Sequence, residues 1–197
     1  MNSKAILIVS GEPNSIFLEI YFKILKTKKI ASPLILITSE KLLKLHMKKL
    51  KFKKKIRFLK ATNLEKYNLD NESINLIDVE YKYDKKFEKI SKKSKIFIQK
   101  SFDVAFKILK QNKIKRFING PISKKHFLNN KFLGITEYIS NSFYKKKTCM
   151  LIYNKKLSVC PLTTHLSIKL FSKKKTCMLI YNKELSVCPI TTHVPIK

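Results

Sequence analysis

Histidine and cysteine recur at a fixed spacing near the end of the chain. Cys149, Cys160 and His165 follow the pattern C-x10-C-x4-H, and a second copy of the pattern ends at His193. Thiolate and imidazole are preferred zinc ligands, so each copy has the residue types of a metal site. The spacing matches no recognised zinc finger, and the simpler interpretation makes the cysteines small residues of a β-strand. A zinc site built by the two copies remains the alternative.

The segment that carries these residues is duplicated. Residues 145–169 and 173–197 differ at only four positions, and nothing earlier in the chain resembles them. Each copy has two β-rich runs around a short polar stretch, which predicts a hairpin. With a two-residue turn in the first copy, Cys149 falls opposite Cys160. We therefore predict β-hairpin repeats at the C-terminal end.

Glycine is scarce, and its positions are informative. The three glycines are Gly11, Gly120 and Gly134, and the first two end apolar runs that have the character of buried strands. Open α/β sheets bind ligands at the carboxyl ends of their strands. We therefore predict a ligand-binding edge at Gly11 and Gly120. The alternative is that they are ordinary turn glycines.

The elements that position these residues alternate between strands and helices. Apolar runs predict strands at residues 5–11, 33–39, 55–62, 74–80 and 115–121. Helical spacing predicts helices at residues 15–26, 40–50 and 92–111, the second with Ser39 as its N-cap. This order predicts an α/β fold with a mostly parallel sheet flanked by helices.

Apolar spacing also predicts which helix faces are buried. One side of the first helix carries Ile16, Phe17, Ile20, Ile24 and Leu25. In the long helix, the residues expected to face inward are Ile96, Phe97, Val104, Ile108 and Leu109. His46, in a lysine-rich helix, and His126, in a short helix, are expected to be exposed.

Lysine dominates the charge of the chain. The net charge is +30, yet only Arg57 and Arg116 among the 43 basic residues are arginine. Because arginine makes the bidentate contacts that read nucleic acids, we expect weak non-specific adhesion at low salt and no specific nucleic-acid function. No signal peptide and no run of roughly 18 apolar residues occurs, which predicts a cytoplasmic protein without a membrane span. The cysteines are then expected to be reduced thiols.

Four short motifs occur in the order and spacing of a known family. They are GEP followed by EI at residues 11–20, NGPISK at 119–124, FLGITEY at 132–138 and TTHLSIK at 163–169. The 4-hydroxythreonine-4-phosphate dehydrogenase (PdxA) family of pyridoxine biosynthesis carries GDPAGIGPEI, TGPINK, F-GHTE and TTHLPL. The chain resembles this family from about Ile6 to Lys169. Each motif alone is weak, whereas four in register are specific.

The resemblance implies a fold, a reaction and cofactors. The fold is like that of isocitrate and isopropylmalate dehydrogenases, in a homodimer, with NAD and a divalent metal (zinc, magnesium or cobalt). The family oxidises the 3-hydroxyl of 4-phosphohydroxy-L-threonine, a small phosphorylated hydroxy amino acid. The keto acid then loses carbon dioxide to give 3-amino-2-oxopropyl phosphate. A metal on the hydroxyl oxygen suits this chemistry because it lowers the pKa of that hydroxyl and stabilises an enolate.

The resemblance also implies roles for individual residues. His165 aligns with a metal ligand of the family, and His193 is its duplicate in the second copy. Thr136 aligns with a substrate-binding threonine and Lys124 with a lysine near the active site. Ile135 stands where the family has a substrate-binding histidine, and isoleucine makes no hydrogen bond through its side chain.

Further departures lead to competing expectations. After the first copy, the second copy replaces the sequence from which the family draws its other metal ligands and most of its NAD pocket. We therefore expect an incomplete α/β domain at 1–144, a hairpin segment at 145–169 and its duplicate at 173–197, forming a truncated and impaired dehydrogenase. The alternatives are a non-catalytic α/β fragment, a remnant that binds a partner, and a basic nucleic-acid-associated protein.

Overall fold

The computed structural model describes residues 4–82, 91–111, 114–128, 131–132 and 134–143, together with strand residues 158–160, 179–181 and 186–187. The chain divides into two compact units, Met1–Tyr138 and Ile139–Lys197. The boundaries predicted at residues 144, 169 and 173 stay predictions.

Apolar runs form the strands of the first unit. Within the described residues these are β1 (Ile6–Val9), β2 (Leu34–Thr38), β3 (Ile56–Phe58), β4 (Ile74–Asp78) and β5 (Arg116–Asn119). The helices are α1 (Phe17–Thr27), α2 (Glu40–Lys49), α3 (Lys92–Lys110) and α4 (Ile135–Phe143). A 3₁₀ segment (Ala61–Lys66) and a π-helical turn (Lys124–Leu128) complete them. The predicted strands and helices are confirmed, although β3 is shorter than predicted.

The sheet is parallel throughout, as predicted. Among the described residues, five strands lie in the order β3-β4-β2-β1-β5. Leu7 of β1 lies beside Ile35 of β2 on one side and Phe117 of β5 on the other. From β1 the chain passes to β2 on one side, whereas β5 is added on the opposite side. The strand order therefore reverses at β1, and ligand sites of open α/β sheets form at such a point.

Helices pack on both faces of the sheet. One face carries a core of side chains from α1, α2 and alternate strand positions, which includes Leu18, Phe22, Leu36, Leu43 and Leu76. On the other face α3 packs against β1 and β2. Because both faces are covered, the strand interiors are apolar on both sides, which is why β2 has no exposed residue.

An aromatic cluster anchors the segment that follows β5. Phe102 of α3 packs against Phe117 of β5, Phe127 of the π-helical turn and Tyr138 of α4, with ring centroids 6.0, 5.7 and 5.4 Å away. The Gln99 side chain also donates a hydrogen bond to the Tyr138 hydroxyl at 3.0 Å. These contacts fix the chain on either side of residues 120–126.

The buried faces of two helices differ from those predicted. On α1 the buried residues are Leu18, Tyr21 and Phe22, whereas Ile16, Ile20 and Ile24 are 66%, 45% and 40% exposed. The apolar residues of α1 cover more than one side, so spacing alone selected the wrong arc. On α3, Phe97, Ile108 and Leu109 are buried as predicted, Val104 is half-buried, and Ile96 is exposed.

The N-terminus of α2 is capped from a neighbouring strand. Ser39 occupies the predicted N-cap position but makes no capping hydrogen bond through its side chain. Instead, the backbone N–H of Glu40 donates to Oδ1 of Asp78 at 2.7 Å. Asp78 is the last residue of β4, so this bond ties the helix to the sheet.

The described strands of the second unit form an antiparallel meander. They are β6 (Ser158–Cys160), β7 (Leu179–Tyr181) and β8 (Ser186–Val187), and β7 pairs with both others. Cys160 pairs with Leu179, so the two copies share one sheet. In the second copy Tyr181 pairs with Ser186, which gives a longer connection than the predicted two-residue turn. Cys149 and the first strand of the first copy lie outside the described residues.

Candidate functional site

The carboxyl ends of β1 and β5 open into a pocket of about 780 Å³. It is lined by Glu12–Ser15 after β1, Tyr81 after β4, Ser94 of α3, and Pro121–Ser123 with His126 after β5. This is the edge predicted from Gly11 and Gly120. The volume suits a small ligand or part of a cofactor, since such sites span about 300–1,000 Å³.

Two glycines let the loops after β1 and β5 touch through their backbones. Gly11 has a φ of +73°, and a Cβ built on it would lie 2.2 Å from the carbonyl oxygen of Pro121. A Cβ on Gly120 would lie 2.1 Å from the carbonyl oxygen of Ser10. Both positions therefore need glycine for close approach. Between them, the Glu12 N–H donates to the Pro121 carbonyl at 2.8 Å.

Glu12 is the buried charge of this pocket. Its side chain is only 9% exposed, and Oε1 accepts a hydrogen bond from the backbone N–H of Ser123 at 3.2 Å. Its other oxygen, Oε2, is buried and has no hydrogen-bond partner among the described residues. A buried carboxylate oxygen without a donor is destabilising unless a ligand, an ion or an ordered water completes it.

Ser94 lies beside Glu12 but does not satisfy it. Ser91 and Ser94 form a capping box at the start of α3, with the Ser94 N–H donating to Ser91 Oγ. The Ser94 hydroxyl donates to the carbonyl of Ser91 at 2.8 Å. Because a hydroxyl has one hydrogen, Ser94 cannot donate to Oε2 of Glu12 while it keeps this bond, although a rotated hydroxyl would donate to Glu12 and lower its pKa.

The surroundings of Glu12 act on its acidity in opposite directions. Burial raises the pKa of the Glu12 carboxyl and is the strongest influence. The Ser123 N–H, the nearby Ser94 hydroxyl and the charge of His126 lower the pKa of Glu12 by smaller amounts. Desolvation therefore dominates, which makes Glu12 a carboxylate that a donor or a positive charge in the pocket would stabilise.

His46 supports the loop that carries Glu12. The prediction that His46 is exposed is wrong: it is 6% exposed and makes a hydrogen bond to the backbone of Pro13. Burial is the main cause that lowers the pKa of His46, and the charge of Lys49 acts in the same direction. The prediction was wrong because the surrounding lysines lie on the outer side of α2, whereas His46 is buried.

The residues predicted from motifs are not brought together in the pocket. Lys124 begins the π-helical turn and is exposed, outside the lining. Ile135 and Thr136 begin α4, the first half-buried and the second exposed, and neither lines the pocket. His165 and His193 lie outside the described residues, and their roles stay predictions.

The structure adds lining residues that the motifs did not identify. Glu12 follows Gly11 directly. The ligand-binding edge was predicted at Gly11, but Glu12 itself was not identified. Tyr81 and Ser94 come from distant segments that only the fold brings to this edge, and no local signal marks them. His126 is exposed, as predicted, yet it lines the pocket. No group of three or more metal-ligating side chains occurs in the part of the chain that the structure describes.

The fold and the pocket define a class of protein: a parallel α/β domain with a ligand-sized pocket at the point where its strand order reverses. A family model described as pyridoxal phosphate biosynthetic protein PdxA matches residues 29–172. The chain therefore belongs to the PdxA family. The match includes the first copy of the repeat and ends before the second copy begins at residue 173, while the GEP motif lies ahead of it.

Solved structures show the same fold. A putative 4-hydroxythreonine-4-phosphate dehydrogenase from Salmonella typhimurium superimposes with a TM-score of 0.72 at 19% identity, covering 86% of this chain and 54% of that one. A 4-hydroxythreonine-4-phosphate dehydrogenase from Burkholderia phymatum gives 0.70 at 21% identity, covering 87% and 53%. The Klebsiella pneumoniae enzyme gives 0.72 at 19% identity, covering 87% and 54%.

These comparisons also define how much of the family is present. The chain spans about half the length of the solved structures that it matches. No curated protein sequence matches it. No helix in the described part of the chain is long and apolar enough to cross a membrane.

Proposed function

We propose that the chain belongs to an NAD-dependent dehydrogenase that acts on 4-phosphohydroxy-L-threonine in the cytoplasm. The observation that carries this proposal is the family match combined with a pocket at the carboxyl ends of β1 and β5. The substrate would be oxidised at its 3-hydroxyl and then lose carbon dioxide, yielding 3-amino-2-oxopropyl phosphate. The working form would be a homodimer, as the family resemblance implies.

The residues of the pocket suit part of a nicotinamide dinucleotide. Oε2 of Glu12, which has no hydrogen-bond partner among the described residues, offers an acceptor. Gly11 and Gly120 keep the loops after β1 and β5 close, without side chains between them. When bound, NAD would supply the acceptor for the hydride. Glu12 and Ser123 would orient its bound group, while Tyr81, Pro121 and Ile122 would exclude water from one side.

The described residues do not by themselves form a divalent-metal site, since Glu12 and His126 are the only metal-ligating types in the pocket lining. We propose His165 as a ligand of the metal and Thr136 as a contact of the substrate. Lys124 is proposed as a polar group near the reacting atoms, and His193 as the duplicate of the ligand.

The test is NADH formation by the purified chain with 4-phosphohydroxy-L-threonine and a divalent metal. Turnover should fall at least tenfold in His165→Ala, since a ligand contributes to the chemistry directly. The matched variant His193→Ala, which makes the same change in the second copy, should retain turnover. Equal loss in both variants, or no turnover at high enzyme concentration, would reject the assignment of this chain as a dehydrogenase.

A second candidate is a non-catalytic member of the family. The observation that favours it is Ile135, which places an apolar side chain at the family's histidine position. Under this alternative, the chain binds the substrate or a partner without turnover. Ile135→His distinguishes the two: a gain in turnover supports an impaired dehydrogenase, whereas binding with no turnover in both forms supports the non-catalytic member.

A further inference from the structure

The strongest unexplained feature of the molecule is Oε2 of Glu12, a buried oxygen without a hydrogen-bond partner among the described residues. The chain has 43 basic and 13 acidic residues, so a positive field surrounds most of its surface. Glu12 is nevertheless the only carboxylate among the described residues that line the pocket. Its burial and its single backbone donor leave Oε2 without a hydrogen-bond partner among the described residues, in a side chain that lines a space large enough for a ligand.

We propose that Glu12 selects ligands that present a cationic nitrogen group to this pocket. The inference deepens the proposed function, on which it rests for the identity of the ligand. A charged donor offers the buried carboxylate a charge-assisted hydrogen bond, which is about twice as strong as a neutral one. The gain is larger where the carboxylate is buried, as that of Glu12 is.

An anionic group is a poor occupant of the same position. The N-terminus of α3 adjoins the pocket and would attract an anion if its N–H groups were open. Two of these groups are engaged instead: the Ser94 N–H donates to Ser91 Oγ and the Lys95 N–H donates to the Ser91 carbonyl. The carboxylate of Glu12 would also repel a phosphate placed beside it.

A bare metal ion is also a poor occupant. Hard cations require several oxygen ligands, and zinc requires about four ligands in all. Around Glu12 the structure offers the Ser94 hydroxyl and the exposed His126, and no cluster of three metal-ligating residues occurs in the described segments. A nitrogen cation needs only Oε2 of Glu12 and an apolar wall. Pro13, Pro121 and Ile122 provide that wall.

Two sources could supply this group under the proposed function. The oxidised nicotinamide ring is cationic and becomes neutral on reduction. The ammonium group of a hydroxy amino acid is cationic at neutral pH. Both bring a positive charge to Glu12, the ammonium with N–H donors and the nicotinamide ring without a hydrogen on its charged nitrogen, and matched pairs of small probes separate them.

The experiment titrates the full chain with two probe pairs and follows the backbone amide signals of Glu12 and Ser123 by NMR. One pair is 1-methylnicotinamide and neutral nicotinamide. The other is L-threonine and its deamino analogue 3-hydroxybutyrate. The chain should prefer the cationic member of one pair by roughly tenfold or more, and that pair identifies the source.

Glu12→Gln should abolish this preference, because it removes the charge and keeps an oxygen for the Ser123 N–H. Glu72→Gln, an exposed position with the same charge change, should leave it intact. Equal affinity for both members of each pair in the unmodified chain, or a preference that survives in Glu12→Gln, would overturn the inference. Neither probe pair depends on turnover, so loss of dehydrogenase activity with an intact preference would reject only the proposed function.

Discussion

The carboxylate of Glu12 accepts a hydrogen bond from the backbone N–H of Ser123 at 3.2 Å, across a separation of 111 residues. The bond joins the loop after β1 to the loop after β5 at the point where the strand order reverses. It holds the buried side chain in place while using only one of its two oxygens. The bond thus fixes the position of Glu12 in the lining of the pocket.

Glu12→Gln is expected to stabilise the chain at neutral pH. The pKa of Glu12 is raised mainly by burial, so its charged form is less stable in the folded state than in the unfolded state. The penalty is absent at low pH, where both states are protonated, and grows as the pH rises through the folded-state pKa. Removal of the charge should therefore add about 0.5–2 kcal/mol at pH near 7.

Urea unfolding of the unmodified chain and the variant, measured across pH, checks this prediction. The difference in the free energy of unfolding should shrink towards zero as the pH falls below the ordinary range of a glutamate. Glu72→Gln, at an exposed position, is the control for the loss of one negative charge. A destabilised Glu12→Gln at neutral pH would show that the carboxylate is satisfied in the folded chain.

Gly11→Ala is expected to destabilise the first unit. Alanine is strained at a φ of +73°, and its Cβ would meet the Pro121 carbonyl oxygen at 2.2 Å, so one of the two loops must move. The expected loss in the free energy of unfolding is about 2–4 kcal/mol. The measurement is chemical denaturation followed by circular dichroism.

Gly134→Ala is the matched control for this change. A Cβ on Gly134 would meet only the end of the Glu137 side chain, at 2.8 Å, and that side chain can rotate away. We expect a loss of about 1 kcal/mol or less, since Gly134 is the N-cap of α4, where alanine is only moderately less favourable than glycine. Similar losses of stability in both variants would mean that the loss in Gly11→Ala does not arise from the contact between the two loops.

The burial pattern of α1 predicts opposite outcomes for two similar truncations. Leu18 is 2% exposed in the core, whereas Ile20 is 45% exposed on the same helix. Leu18→Ala should lower the free energy of unfolding by about 2–5 kcal/mol through the lost burial and the cavity. Ile20→Ala should change it by about 0.5 kcal/mol or less, as exposed positions usually do. Thermal unfolding of both variants tests which face of α1 is buried. A larger loss of stability in Ile20→Ala than in Leu18→Ala would contradict the assigned face.

The fold class could be predicted from the sequence because burial on both faces leaves a simple pattern. The strands β1 and β2 are nearly continuous apolar runs, and Gly11 and Gly120 end two strands at one edge. Periodicity failed on α1, where apolar residues occupy more than half of the circumference. Only packing against the sheet selects Leu18 and Phe22 over Ile16 and Ile20.

The pocket could be predicted in part for a similar reason. Its edge follows from the strand ends, whereas Tyr81 and Ser94 reach it only through the three-dimensional fold. The motifs identified Lys124, Ile135 and Thr136 by resemblance, but the lining that the structure shows does not include them. Glu12 was missed because a carboxylate after a glycine is typical of an exposed turn, and burial is a tertiary property.

His46 should make the stability of the chain fall as the pH becomes acidic. Burial and the charge of Lys49 lower the pKa of His46, so the unfolded state binds a proton more readily than the folded state. Stability from this residue is present above the ordinary histidine pKa and is lost as the pH falls from about 7 to about 5. His46→Gln has no such titration and should show a flatter pH dependence over this range.

His126→Gln, at an exposed position, is the control for the loss of one imidazole. The measurement is the free energy of unfolding in urea at several pH values for all three proteins. If His46→Gln and the unmodified chain lose stability in parallel, the acid sensitivity arises elsewhere. A reduced loss in His46→Gln alone would link protonation of α2 to the loop that holds Pro13 and Glu12, because the hydrogen bond to Pro13 connects them.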